Sequence, residues 1–185
     1  MKKAGDTHFG CLVDQQDCLV SCAFGPSSKT LERHLSDYSK RVTGVAPAAY
    51  EHWLTAEMIR LFEGKKPSRN ITLRTSFTSD FQRKVYSLLS KIPKGKVTTY
   101  GLISKQIHSA PRAIGRAVAS NPWPLFVECH RVINANLTIG NYGVCGNISQ
   151  EGTATKRGLL LREGVTIHYD RIERTSLWNP SEKTD

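Results

Sequence analysis

Hydrophobic positions first gather in two short runs, Gly10 to Val13 and Cys18 to Phe24, on either side of the polar turn Asp14-Gln15-Gln16-Asp17. Two such runs around a turn predict a β-hairpin. From Ala48 to Phe62 the period changes, and Tyr50, Trp53, Leu54, Met58, Leu61 and Phe62 recur at helical spacing, with Gly64 placed to end the helix. This stripe reads as core. Lys65 to Asn70 reads as a linker and Ile71 to Leu73 as a short strand. Ser79-Asp80 then caps a helix that carries Phe81, Val85, Leu88 and Leu89 on one side. Pro93 to Lys96 makes a turn, Thr99 caps a helix from Tyr100 to Ile107, and Pro111 opens another that ends near Ser120. Two short helices joined tightly, the second basic, predict a helix-turn-helix.

The predicted fold class is an α/β N-terminal domain (small sheet plus helix) followed by a mainly helical C-terminal domain with a helix-turn-helix. The boundary falls between Leu73 and Asp80, giving domains of 1–75 and 76–175. The polar end from Thr175 is expected to fray, leaving a flexible tail over 176–185.

Charge changes the picture. The chain of 185 residues has 26 Lys and Arg against 16 Asp and Glu, a net charge of +10. No acidic residue occurs from Phe81 through Val127, where Arg83, Lys84, Lys91, Lys94, Lys96, Lys105, Arg112 and Arg116 all fall. Such a one-signed stretch points to a polyanionic partner. The five cysteines are irregularly spaced and do not form a disulfide framework, which favours a reducing compartment. No segment has the length of a membrane span. The expectation is a soluble cytoplasmic protein, nuclear if eukaryotic. His8, Cys11, Cys18, Cys22 and His34 are zinc ligands by type only, since their spacing lacks paired Cys-x-x-Cys knuckles. No metal or cofactor is therefore assigned.

The candidate chemistry centres on Cys129-His130-Arg131. A thiol attacks as thiolate, and a neighbouring imidazole or positive charge lowers its pKa. The helix from Arg112 to Ser120 is rich in small residues, Gly115, Ala117 and Ala119, allowing either a close nucleic-acid approach or close packing on a neighbour.

Tyr100, Arg112, Ser120-Asn121-Pro122-Trp123-Pro124, Cys129-His130-Arg131, Gly140-Asn141-Tyr142-Gly143 and Leu159 to Gly164 occur in this order. In order and spacing they resemble the O6-alkylguanine-DNA alkyltransferase family, from about Phe81 to Val165. The resemblance implies a repair protein that flips O6-alkylguanine from duplex DNA and transfers the alkyl group irreversibly, once per molecule, to Cys129. It implies a minor-groove helix whose Ala113, Gly115, Arg116, Ala119 and Ser120 face DNA. Arg112 would fill the gap left by the flipped base. Tyr100 would rotate the phosphate and meet guanine N3, and Asn121 would act as the hinge to the active-site loop. The carbonyls of Cys129 and Val132, with Tyr142 and the N–H of Gly143, would form the base pocket. Glu163 would orient His130, the base acting through water, and Arg131 would make structural hydrogen bonds. No cofactor is implied, and a monomer is expected.

Two features depart from the family pattern. Glu128 replaces the proline before the cysteine, which should raise the thiol pKa and either slow transfer or narrow substrate choice without abolishing transfer. The polar, glycine-rich stretch Val144 to Gly152 is longer than usual and reads either as a mobile pocket wall that admits bulkier alkyl groups or, equally, as an idle insertion. Cys145, within it, lacks an adjacent histidine. Rival readings are a non-catalytic alkyltransferase-like sensor of alkylated DNA, opposed by Cys129; a helix-turn-helix regulator, which lacks a dimerisation helix here; and a cysteine hydrolase, for which DNA-binding parts are superfluous.

Overall fold

Short apolar runs become the centre of a four-stranded antiparallel sheet. In the computed structural model, which describes residues 1–42, 45–46, 52–144 and 147–181, strands β1 (Lys2–Ala4), β2 (Thr7–Asp14) and β3 (Leu19–Gly25) lie side by side in that order. Helix α1 (Ser28–Ser39) follows, and β4 (Val45–Ala46) pairs with the far end of β2. β3 is buried at all seven positions, so the sheet is covered on both faces. On one face Leu12, Val20 and Ala23 pack with Leu31 and Leu35 of α1. Gly10 makes this close approach possible: a Cβ there would stand 2.8 Å from Leu35 Cδ1. On the other face Phe9 and Phe24 meet Phe62 of α2 (Trp53–Phe62) edge to face, with centroids 5.3 and 5.5 Å apart.

Helix α2 begins later than the periodicity suggests, because His52 caps it by accepting from Leu54 N–H. The expected helical residues before 52, Tyr50 among them, lie outside the described residues. The short strand expected at Ile71 to Leu73 is a single bridge to Leu19, flanked by Leu19 N–H donating to Thr72 and Arg74 N–H donating to Leu19.

Contacts divide the chain into two units. One comprises Met1–Thr78 with Pro122–Phe126 and Val144–Asn147; the other comprises Ser79–Asn121, Val127–Gly143 and Ile148–Asp185. Within the first, Trp123 is fully buried and its indole donates to the Leu19 carbonyl at 3.0 Å. His8, Cys11, Cys18, Cys22 and His34 form no metal-holding group among the described residues.

The second unit opens with α3 (Asp80–Leu89), whose Ser79 and Gln82 form a reciprocal capping box. Strand β5 (Thr98–Thr99) leads into α4 (Tyr100–Gln106), capped by Thr99, and Pro111 is the first residue of α5 (Pro111–Ala119). β6 (Val132–Ile133) runs parallel to β5, with Thr98 opposite Val132. β7 (Tyr142–Val144) pairs with β8 (Asn147–Ser149), which runs directly into α6 (Gln150–Arg162). The expected loop from Val144 to Gly152 is therefore strand and first helical turn, with Cys145 and Gly146 outside the described residues. Its glycine-rich, polar composition suggested a loop, but the backbone pairs as a ribbon. β9 (Ile167–His168) and β10 (Arg171–Ile172) close a hairpin. At the start of the expected tail, Val97 N–H donates to Ser176, Trp178 N–H to Val97, and Lys96 Nζ to Thr175; 182–185 lie outside the described residues.

No helix among the described residues is long and apolar enough to cross a membrane.

Candidate active site

Cys129, His130 and Arg131 form one 3-10 turn, closed by Val132 N–H donating to the Cys129 carbonyl. Asn121, just past the end of α5, donates Nδ2 to the Val127 carbonyl at 3.1 Å, and that same carbonyl accepts from Cys129 N–H at 2.7 Å. The turn is thus tied to the end of α5 through Asn121.

Local chain chemistry sets Glu163 against this turn. Gly164, at φ +88°, ends α6: its N–H donates to Leu161 and that of Val165 to Leu160, both at 3.0 Å. Leu160 and Val165 share one apolar cluster with Val97, Ile133, Ile139 and Ile172. Glu163 is thereby held as the helix's last half-turn, where a carboxylate opposes the helix dipole. Three donors offset that. His130 Nε2 lies 2.9 Å from Oε1, Arg131 Nη2 donates to Oε1 at 2.9 Å, and Arg131 Nε donates to Oε2 at 2.8 Å. These bonds overcome desolvation and lower the Glu163 pKa to about 2.

Facing so acidic a carboxyl, His130 must donate from Nε2, which leaves a lone pair on Nδ1. Nδ1 is buried and has no partner among the described residues. Burial also lowers the His130 pKa, so the ring is neutral at neutral pH. A neutral imidazole with one nitrogen anchored and the other unengaged is a proton acceptor in waiting.

The thiol differs from expectation. Cys129 is only 6% exposed, and burial pushes its pKa up, against lowering by Asn121, Tyr142 and Lys156 and with raising by Glu128. Proximity to His130 and Arg131 had suggested a ready thiolate. Instead Arg131 is occupied by Glu163 and by the Ile92 carbonyl, to which Nη1 donates at 2.6 Å, so Cys129 rests as a thiol that needs a base. Tyr142 Oη lies 3.8 Å from its sulfur. Tyr100, first residue of α4, has its phenol pKa raised by burial and then by Cys129, which sets it in the same field.

Lys156 carries no sequence signal for this site. It is 1% exposed and donates Nζ to the Val132 carbonyl at 2.6 Å. Burial lowers its pKa to about 8, while Cys129 opposes that shift. Both carbonyls expected to receive a base amine, Cys129 and Val132, thus already hold one internal donor, and each keeps a second lone pair.

On α5, Ile114 and Ala117 are buried while Arg112, Arg116 and Ala119 are exposed at i, i+4 and i+7. Ala113 and Gly115 are partly exposed. A Cβ at Gly115 would meet nothing within 4 Å, so internal packing does not require glycine there, whereas Ala117 is buried and its small size does serve packing. Ser120 is less free than expected: its hydroxyl accepts from Gln82 Nε2 at 2.9 Å, bonds the Ala117 carbonyl at 3.0 Å and lies 3.3 Å from Tyr86 Oη. It anchors α5 to α3. Gly143 is exposed beside buried Tyr142.

The family description "6-O-methylguanine DNA methyltransferase, DNA binding domain" matches residues 80–165. A methylated-DNA–protein-cysteine methyltransferase of Archaeoglobus fulgidus is 39% identical over 110 residues, covering 59% of this chain and 72% of the relative. One of Thermococcus sibiricus is 52% identical over 89 residues, but that match spans only 46% of the relative. The crystal structure of O6-methylguanine-DNA methyltransferase from Pyrococcus kodakaraensis KOD1 superposes with a TM-score of 0.72 at 26% identity, covering 89% of this chain and 96% of that one. Mycobacterium tuberculosis OGT in complex with DNA gives a TM-score of 0.50 at 35% identity, over 60% of this chain and 65% of that one.

Proposed function

This chain belongs to the methylated-DNA–protein-cysteine methyltransferase family, and from that premise we propose that it repairs duplex DNA by taking an alkyl group from guanine O6 onto Cys129. The observation that carries the reading is the unengaged Nδ1 of His130, buried beside a resting thiol and backed through Nε2 by Glu163.

The step balances as follows. The Cys129 proton passes through a water to His130 Nδ1, and Glu163 stabilises the imidazolium. The sulfur attacks the alkyl carbon in line, forming C–S as C–O6 breaks; the leaving guanine takes a proton at N3 from Tyr100, and the phenolate regains one from solvent as the His130 imidazolium loses its own. The product thioether has no route back, so each molecule acts once.

Arg112 enters the stack in place of the flipped nucleotide, while Ala113, Gly115, Arg116, Ala119 and Ser120 line the face of α5 on DNA. The second lone pairs of the Cys129 and Val132 carbonyls receive the guanine amine, Gly143 N–H meets O6, and Tyr142 walls the pocket. Asn121 fixes the acceptor turn. Among the described residues no disulfide joins Cys11, Cys18, Cys22 and Cys129, which supports a reducing compartment such as the cytoplasm, or the nucleus of a eukaryote.

Intact mass after incubation with a duplex bearing one O6-methylguanine tests the reading. A gain of about one methylene (~14 Da), saturating at one per molecule and absent in Cys129→Ala, is expected of a thiol nucleophile. Unchanged mass with preferential binding of the modified duplex would replace transfer by damage sensing.

A further inference from the structure

The mechanism leaves one half-buried carboxyl unused. Glu128 caps the acceptor turn without bonding its backbone through the side chain. Its Oε1 lies 3.6 Å from Arg131 Nη1, the side chain is 20% exposed, and Oε2 is buried with no partner among the described residues. Arg131 offers little more, since Nε and Nη2 serve Glu163 and Nη1 serves the Ile92 carbonyl. Burial accordingly pushes the Glu128 carboxyl up to about 7, with Arg131 lowering it and Glu163 raising it. The titratable and charged groups around the turn are Cys129, His130 and Arg131 on the turn itself, Lys156 and Glu163 from α6 and its end, Tyr142 of β7, Tyr100 of α4, and Tyr86 of α3.

We propose that Glu128 is a positioning residue whose charge governs how readily Cys129 yields its proton, an inference that rests on the transfer reaction above. Uncharged, Glu128 leaves Arg131 to Glu163 and the Ile92 carbonyl and leaves the thiol proton to His130. Ionised, it sets a negative charge beside the forming thiolate and draws on the guanidinium that holds Glu163. The proton still travels from sulfur to His130 Nδ1, and only its equilibrium shifts. Alkylation of Cys129 should therefore rise less steeply with pH in this chain than in one without the carboxylate.

The experiment follows Cys129 by peptide mapping as the full chain reacts with a haloacetamide, wild type against Glu128→Gln, alongside single-turnover transfer from a duplex carrying O6-methylguanine. The variant-to-wild-type rate ratio is expected near unity at about pH 5.5 and about three- to tenfold at about pH 9, since one pKa unit in the thiol is tenfold in thiolate. A ratio that stays flat with pH, whatever its size, overturns the proposal, because a purely steric role of Glu128 would not titrate. Glu128→Pro should show the same trend and serves if the glutamine variant does not fold. If the haloacetamide does not reach the sulfur, the transfer ratio decides. A rising haloacetamide ratio with no alkyl transfer from DNA would instead remove the repair reading and leave the charge control standing.

Discussion

His130 Nε2 and Glu163 Oε1 are 2.9 Å apart, and the same carboxylate receives Arg131 through two nitrogens. Both partners are buried, so the pair fixes the imidazole's tautomer as well as its place. Glu163→Gln should cut the single-turnover transfer rate by about 10²-fold, the scale of a positioned acid–base group. DNA affinity should be nearly unchanged. A stopped-flow comparison at saturating duplex separates the two effects.

Acid stability should follow from the same carboxylate. Its folded pKa lies at about 2 against an ordinary 4.5, so its contribution is present above the ordinary value and lost as pH falls from 4.5 towards 2. Unfolding free energy in urea should drop by a few kcal/mol across that window, on the scale of about 1.4 kcal/mol per pKa unit. Glu163→Gln should lack that part of the slope.

Lys156 makes an opposite, cationic contribution to the thiol. With its pKa lowered to about 8, the amine is charged below that pH and favours the thiolate there. Lys156→Met should slow transfer about tenfold near neutrality, equivalent to one pKa unit at the sulfur. The deficit should narrow above about pH 8, where the wild-type amine is also neutral. Rates measured across this interval check the sign.

Gly115 separates helix stability from DNA binding. Because a side chain there meets open space, Gly115→Leu should leave folding intact or strengthen it by about 0.5–1 kcal/mol through helix propensity. Duplex binding should weaken by roughly tenfold if backbone approach to DNA is what glycine serves. Thermal melting and fluorescence anisotropy on one preparation give both readings.

Arg112→Ala should reduce transfer from duplex DNA by at least about tenfold, because filling the stack offsets the unstacking of the flipped base. Transfer from the free alkylated base should not change. Equal losses on both substrates would assign Arg112 to the pocket instead.

Signals carried by neighbouring residues were legible in the sequence. Ser79 with Gln82, Thr99 before α4 and Pro111 at the start of α5 each act within one helical turn, and each is found in that role. Helix α1 carries such a signal too, since Ser27 caps it by accepting from Thr30 N–H, but its buried face is only Leu31 and Leu35, too narrow a stripe to stand out. The site divides along the same line. Cys129 and His130 are adjacent and announce themselves. Lys156 reads as a surface residue by type, and only folding brings its amine to the Val132 carbonyl. Arg131 seemed a source of positive charge for the thiol, yet the distant end of α6 claims its guanidinium. Burial then reverses the expected direction of the thiol's shift, and burial is a property of the whole unit rather than of the motif.

Lys156 and Glu163 stand seven residues apart, close to two turns of α6, and so present their side chains along one edge of the helix. The first grips the Val132 carbonyl and the second grips His130 and Arg131. The helix thereby acts as a gauge that holds two ends of one short segment at a set spacing. Inserting or deleting a single residue between them would swing one gripping group by about 100° away from its target. Changes in length before Lys156 or beyond Gly164 leave that spacing untouched, so tolerance to insertion should end abruptly at those two positions.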